Sequence, residues 1–148
     1  MKNIIFILVF LTSFITKGQI LEPVKWTTSV TKISDSEYEL IATATIKSGW
    51  HLYSQNVPQD GPIPTKFAFE GNVNYFKKGN TVEDRGHTIQ DPIFGMEITY
   101  FEKKAAFKQR IKVKGKAPFQ VKGTVEFMVC DDSRCLPPTE VDLIFKVK

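Results

Sequence analysis

Apolar and polar residues alternate along much of this chain. Tyr38, Leu40, Ala42, Ala44 and Ile46 share one face of a period-two pattern, with Glu37, Glu39, Thr43, Thr45 and Lys47 on the other. Phe107, Gln109, Ile111 and Val113 alternate with Lys108, Arg110, Lys112 and Lys114. A third run holds Val121, Gly123, Val125, Phe127 and Val129, and a fourth holds Val141, Leu143, Phe145 and Val147. Strands buried on one face produce this pattern, because successive side chains point to opposite sides. Turn-forming residues punctuate it: Ser34-Asp35-Ser36, Lys47-Ser48-Gly49, Asp60-Gly61-Pro62, Lys78-Gly79-Asn80 and Lys114-Gly115-Lys116. No amphipathic helical pattern is evident. Short strands between regular turns predict an all-β fold, and we expect an immunoglobulin-like antiparallel β-sandwich. Two irregular stretches, Gln55 to Thr65 and Arg85 to Gly95, are expected to be loops. Loops on β scaffolds often carry function.

The N-terminus departs from this pattern. Lys2 precedes an apolar run from Ile4 to Ile15, and Thr16-Lys17-Gly18 places small residues before Gln19. That layout predicts a secretory signal peptide over residues 1–18, cleaved between Gly18 and Gln19, and a domain over residues 19–148. The apolar run falls short of the roughly 20 residues that span a bilayer. The product is therefore expected to be periplasmic or secreted, and not membrane-embedded once the leader is gone. Cleavage would lower the formal charge from +4 to +2, because Lys2 and Lys17 leave and no acid does. Clustered Lys and Arg of the kind that bind nucleic acid are not evident.

Export bears on the chemistry. Cys130 and Cys135 are the two cysteines of the chain, in Phe-Met-Val-Cys-Asp-Asp-Ser-Arg-Cys-Leu-Pro-Pro. Outside the cytoplasm thiols tend to be oxidised, so one disulfide is the simplest expectation. Bridged cysteines need Cα atoms about 4.4–6.8 Å apart, so Asp131 to Arg134 must turn the chain back. Asp and Ser favour such a turn by bonding nearby backbone N–H groups. Pro137 and Pro138 lack N–H donors, which places the chain after Cys135 at a sheet edge or outside the ladder. Three roles are open from the residues. A bridge closing so short a loop stabilises by only about 2 kcal/mol, against nearly 5 for a loop of about 100 residues. An exposed polar loop gives access to thiol–disulfide exchange. Zinc needs four ligands, and besides the cysteines the chain has only His51 and His87, so no metal site is assigned, while copper(I) could use the two thiolates alone and keeps a metal-binding role as the third option.

The residues from Gly123 to Pro138 resemble the closing segment of the N-terminal periplasmic domain of DsbD, the thiol:disulfide interchange reductase. That family carries a Cys…Cys-x-Pro-Pro run after a strand. Ile46 to Ser54 resembles its strand–Gly–aromatic–Leu–Tyr segment, and Asp91-Pro-Ile-Phe-Gly95 stands at its cap loop. The resemblance implies an immunoglobulin-like sandwich with a redox-active disulfide at one end and no cofactor. It implies electrons taken from a thioredoxin-like donor and passed to oxidised periplasmic proteins. Cys135 would make the bond to the partner and Cys130 would resolve it. Phe94, or Ile93 if the alignment slips by one, would be the shielding side chain of the cap, within Asp91 to Gly95. His51 and Tyr53 stand where the family places two tyrosines. Departures are the four-residue spacing of the cysteines, His51 in place of a phenol and Pro92 in place of an acid. The 148 residues do not include the family's membrane domain or C-terminal thioredoxin-like domain, so separate proteins are expected to supply and accept the electrons. The alternative is a protein- or ligand-binding module whose disulfide only shapes a loop.

Overall fold

The computed structural model describes residues 21–148, and the expected signal peptide lies outside them. The strands are β1 (Val24–Lys32), β2 (Glu37–Ile46), β3 (His51–Tyr53), β4 (Lys66–Phe69), β5 (Tyr75–Glu83), β6 (His87–Gln90), β7 (Glu97–Phe101), β8 (Lys104–Val113), β9 (Phe119–Phe127), β10 (Val129–Cys130) and β11 (Thr139–Val147). They form three antiparallel sheets, in the orders β1-β2-β8-β5, β11-β9-β4 and β10-β3-β7-β6. The architecture is an all-β immunoglobulin-like sandwich, as the alternation predicts.

The alternating runs supply its core. Leu40, Ala42, Ala44 and Ile46 of β2 and Ala105, Phe107 and Ile111 of β8 line one layer. Val121 and Val125 of β9 and Leu143, Phe145 and Val147 of β11 line the other, in the same buried cluster. Each fully buried side chain of this size contributes roughly 1.5–3 kcal/mol. Trp26 bridges the layers, with ring centroids 5.6 Å from Phe107 and 5.5 Å from Phe127. The hydroxyl of Thr28 donates to the Ile144 carbonyl at 2.6 Å, fastening β1 to β11 across the layers.

Three expectations need correction. Lys78-Gly79-Asn80 is not a turn between strands but a bulge inside β5, where the pairing with β8 jumps between Lys78 and Val82. Gly79 takes the left-handed conformation there (φ 71°). Gln109, buried on the core face of β8, donates to the carbonyls of Gly79 (3.2 Å) and Arg110 (2.8 Å) and accepts from Thr81 (3.0 Å). A polar side chain at a core position is thus satisfied by the bulge it supports. The stretch from Arg85 to Gly95 is also not wholly irregular, since it contains β6. Finally, the run from Val121 to Val129 is two strands. It breaks at Met128, and β10 leaves the β9 sheet to pair with β3.

Candidate functional site

The site is built on β3, a strand of three residues buried on both faces. Leu52 faces the main core, where Val129 of β10 and Phe101 of β7 stand opposite it. Tyr53 points the other way, beside its partner Tyr100. Cys130, opposite His51, points that way too, and with Tyr53, Tyr100 and Ile98 forms a second buried cluster. Strand alternation alone therefore separates the two clusters by the thickness of one sheet.

Cys130 and Cys135 are joined by a disulfide, with Cα atoms 4.0 Å apart. The expected turn closes it. Asp131 N–H donates to the Arg134 carbonyl and Leu136 N–H to the Val129 carbonyl, each at 2.9 Å, so the bridge lies across a narrow hairpin. The Asp131 carboxylate accepts from the backbone N–H of Ser133 (3.0 Å) and of Arg134 (2.9 Å) and from the Ser133 hydroxyl (2.9 Å). These bonds favour the ionised form and hold the Asp131 carboxyl down at about 2. Exposure is uneven. Asp132, Ser133 and Arg134 are exposed and Cys135 is half-buried, whereas Cys130 is only 1% exposed. The expected accessible loop thus presents one sulfur-bearing residue and hides the other. Beyond it, Leu136 to Pro138 stand outside any strand, as the missing N–H donors of Pro137 and Pro138 predict.

The Asp91–Gly95 segment is a tight turn rather than a slack loop. Asp91 N–H donates to the Met96 carbonyl (2.9 Å), and Gly95 N–H to the Asp91 carbonyl (2.8 Å). The carboxylate of Asp91, 3% exposed, accepts from the backbone N–H of Ile93 (2.8 Å) and Phe94 (3.1 Å). Its other oxygen accepts from the Tyr53 hydroxyl at 3.2 Å. Gly95 supplies a left-handed φ of 66°. Phe94 meets Tyr53 edge-on at 6.0 Å and packs, like Cys135, against the second cluster. Ile93 is turned outward and exposed. Burial, followed by the Asp91 charge, pushes the Tyr53 phenol well above its ordinary range.

A recess of about 340 Å³ lies beside this assembly, lined in part by His51, Tyr53, Asp91, Tyr100 and Asp132. The His51 ring stacks on Tyr100 at 4.2 Å, and its Nε2 lies 3.2 Å from a carboxylate oxygen of Glu102. Burial first, then the charges of Glu102, Asp132 and Asp91, raises the Tyr100 phenol. All eight candidate residues, Cys130, Cys135, Asp91, Ile93, Phe94, Gly95, His51 and Tyr53, therefore fall in one region. Ile98, Tyr100 and Glu102 belong to it as well and were not singled out in the sequence. The alternation in Glu97-Ile-Thr-Tyr-Phe101 is the signal that points to Ile98 and Tyr100. Among the described residues, no three His, Cys, Asp or Glu side chains group as a metal site, and no helix is long and apolar enough to cross a membrane.

No curated protein matches the chain. The N-terminal periplasmic domain of ScsB from Proteus mirabilis is similar in structure at TM-score 0.55 and 15% identity, over 82% of this chain and 44% of that one. This chain therefore spans under half the length of that relative, and the likeness bears on the fold alone. The DsbD N-terminal domain of Neisseria meningitidis, in its reduced form, aligns at TM-score 0.46 and 13% identity, over 82% of this chain and 85% of that one. The yeast GGA1 GAE domain aligns at TM-score 0.45 and 9% identity, over 87% and 95%. The family described as thiol:disulfide interchange protein DsbD, N-terminal, matches residues 18–145. The chain belongs to that family, as a thiol:disulfide interchange domain of oxidoreductase type that carries the Cys130–Cys135 disulfide.

Proposed function

We propose that this domain relays reducing equivalents from a thioredoxin-like donor to oxidised proteins outside the cytoplasm, through Cys130 and Cys135. The observation that carries the reading is the unequal burial of the two cysteines across one hairpin. A donor thiolate attacks Sγ of Cys135, the half-buried cysteine. The disulfide breaks and its electron pair leaves on Sγ of Cys130. A second donor thiolate then attacks the donor sulfur of the mixed disulfide and releases Cys135. The donor is oxidised by two electrons and this domain is reduced. The reverse sequence, run on an oxidised protein, returns the disulfide. Phe94 and the Asp91–Gly95 turn act as a cap that moves aside for the partner. Residues 1–18 act as a leader, and the working module starts at Gln19.

Trapping tests this. Cys130→Ser, expressed in the native compartment, leaves Cys135 without its resolver and should accumulate a mixed disulfide with a thioredoxin-like protein. Cys135→Ser should accumulate none. A reduction potential below about −300 mV would instead place the bridge with inert structural disulfides and sink the proposal. Amino-terminal sequencing of the exported protein should begin at Gln19.

A further inference from the structure

The register across β10, β3 and β7 places three reactive side chains in one row. Cys130 stands opposite His51, and Leu52 opposite Phe101 sets Glu102 beside His51 on the far side. Residues directly opposed in an antiparallel pair have Cβ atoms about 4.5–5.5 Å apart on the same face. His51 is thus the cross-strand neighbour of Cys130. Glu102 holds its Nε2 at 3.2 Å, and Tyr100 holds its ring face at 4.2 Å. Nδ1 is then the nitrogen that Glu102 does not engage, and the proton exchange is assigned to it. A thiol, an imidazole beside it and a carboxylate orienting the imidazole form the arrangement that activates a cysteine.

We propose that His51 is the proton donor and acceptor for Sγ of Cys130, with Glu102 as its positioning residue. This rests on the interchange reading above. When a thiolate attacks Cys135, the electron pair leaves on Cys130 and protonated His51 passes its proton to that sulfur, giving a thiol and a neutral imidazole. In the reverse step neutral His51 takes the proton back, and the Cys130 thiolate attacks Cys135 of the mixed disulfide to release the partner. Cys130 is buried, so water is a poor proton source for it, and His51 fills that need.

The surroundings fix the sign of the effect. Facing His51 are Tyr100 and Glu102 at the end of β7, Asp131 and Asp132 in the turn, Asp91 in the cap and Tyr53 on its own strand. His87 lies against the far side of Tyr100 at 6.3 Å, and Arg134 is drawn off over the Trp50 ring at 5.9 Å. Asp131 is engaged with backbone donors. The acids lining the recess oppose a thiolate, and His51 is its one base among the described residues.

Two measurements on the full chain test the assignment. The first is the rate of disulfide reduction by dithiothreitol, divided by the thiolate fraction of that reagent, as a function of pH. For the unaltered protein this rate should fall as rising pH removes the proton that the imidazole donates. In His51→Gln the profile should be flat and, at the acid end, about tenfold lower. Glu102→Gln, at an exposed position, should keep the pH dependence but lower the rate at the acid end, because the imidazole loses the group that orients it. The second is the ultraviolet titration of the lone thiol in Cys135→Ser, which should rise by about one unit when His51→Gln is added. An unchanged profile together with an unchanged titration would overturn the role of His51. A disulfide that dithiothreitol cannot open would instead overturn the interchange reading, and the titration would still decide for or against His51.

Discussion

Asp91 and Asp131 do the same structural job at the two edges of the site, in different surroundings. Each folds a turn around its own carboxylate by accepting two backbone N–H bonds. Asp131 keeps an exposed flank, so its effect should be visible as pH dependence. Its carboxyl lies near 2 in the folded chain, against about 3.9 in an unfolded one. The stabilisation is therefore complete above about pH 4 and is lost as pH falls toward 2. In Asp131→Ala that part of the acid unfolding curve should flatten, as followed by circular dichroism. Asp91 is buried and takes a third bond, from Tyr53. Tyr53→Phe should destabilise the oxidised protein by about 1–3 kcal/mol in urea, because it leaves a buried carboxylate oxygen without its donor. The raised Tyr53 phenol adds a second test. The unaltered protein should lose stability above about pH 10, the ordinary phenol value, and Tyr53→Phe should lose less of it there. Asp91 does not reveal its burial in the sequence, where it reads as an ordinary loop residue. Burial depends on what packs over the turn, and that comes from β3 and β7.

At the scale of elements, the legible strands are those with one wet face. β2, β8, β9 and β11 follow their alternation closely, because each lies over the core and faces solvent on the other side. β6 shows only Ile89 half-buried between exposed neighbours, so it carries almost no alternation to read. β3 is too short to show a period. β5 hides behind Gly79, since a glycine with flanking polar residues signals a turn as readily as a bulge. Gln109 was placed correctly on the core face, but its reason for being there is the bulge. Gln109→Leu should leave the carbonyl of Gly79 without its donor and destabilise by about 1–3 kcal/mol, with amide exchange faster across Lys78 to Val82. A tighter constraint sits in β9. A Cβ on Gly123 would press against the Ala68 carbonyl and the Phe69 ring on β4. Gly123→Val should therefore cost at least about 1–3 kcal/mol and loosen β4 from its sheet. An equal loss at a valine placed on the solvent face of β9 would remove that explanation.

For the whole molecule, the disulfide is a minor part of stability. Two hairpin bonds and the Asp131 carboxylate hold the cysteine turn without it. The double variant Cys130→Ser with Cys135→Ser should stay folded and lose only about 2 kcal/mol, measured by urea unfolding. Loss of the fold would make the bridge a structural staple. The same arithmetic explains why spacing alone leaves the role of the cysteines open, and why the resemblance and the family match carry more weight than the loop length.

The two buried clusters lie on opposite sides of one short sheet, and this bears on motion. The larger cluster joins both layers of the sandwich, while the smaller has Tyr53, Ile98, Tyr100 and Cys130 at its centre. The smaller one can open at a free energy below that of global unfolding, because opening it leaves the packing between the layers in place. Native-state exchange should therefore show the amides of Ile93, Phe94 and Gly95 in one subglobal unit, detaching before β2 and β8 give up any protection. On the proposed reading, access to sulfur would then be governed by a local equilibrium, and a partner would need only the fraction of time that the unit stands open.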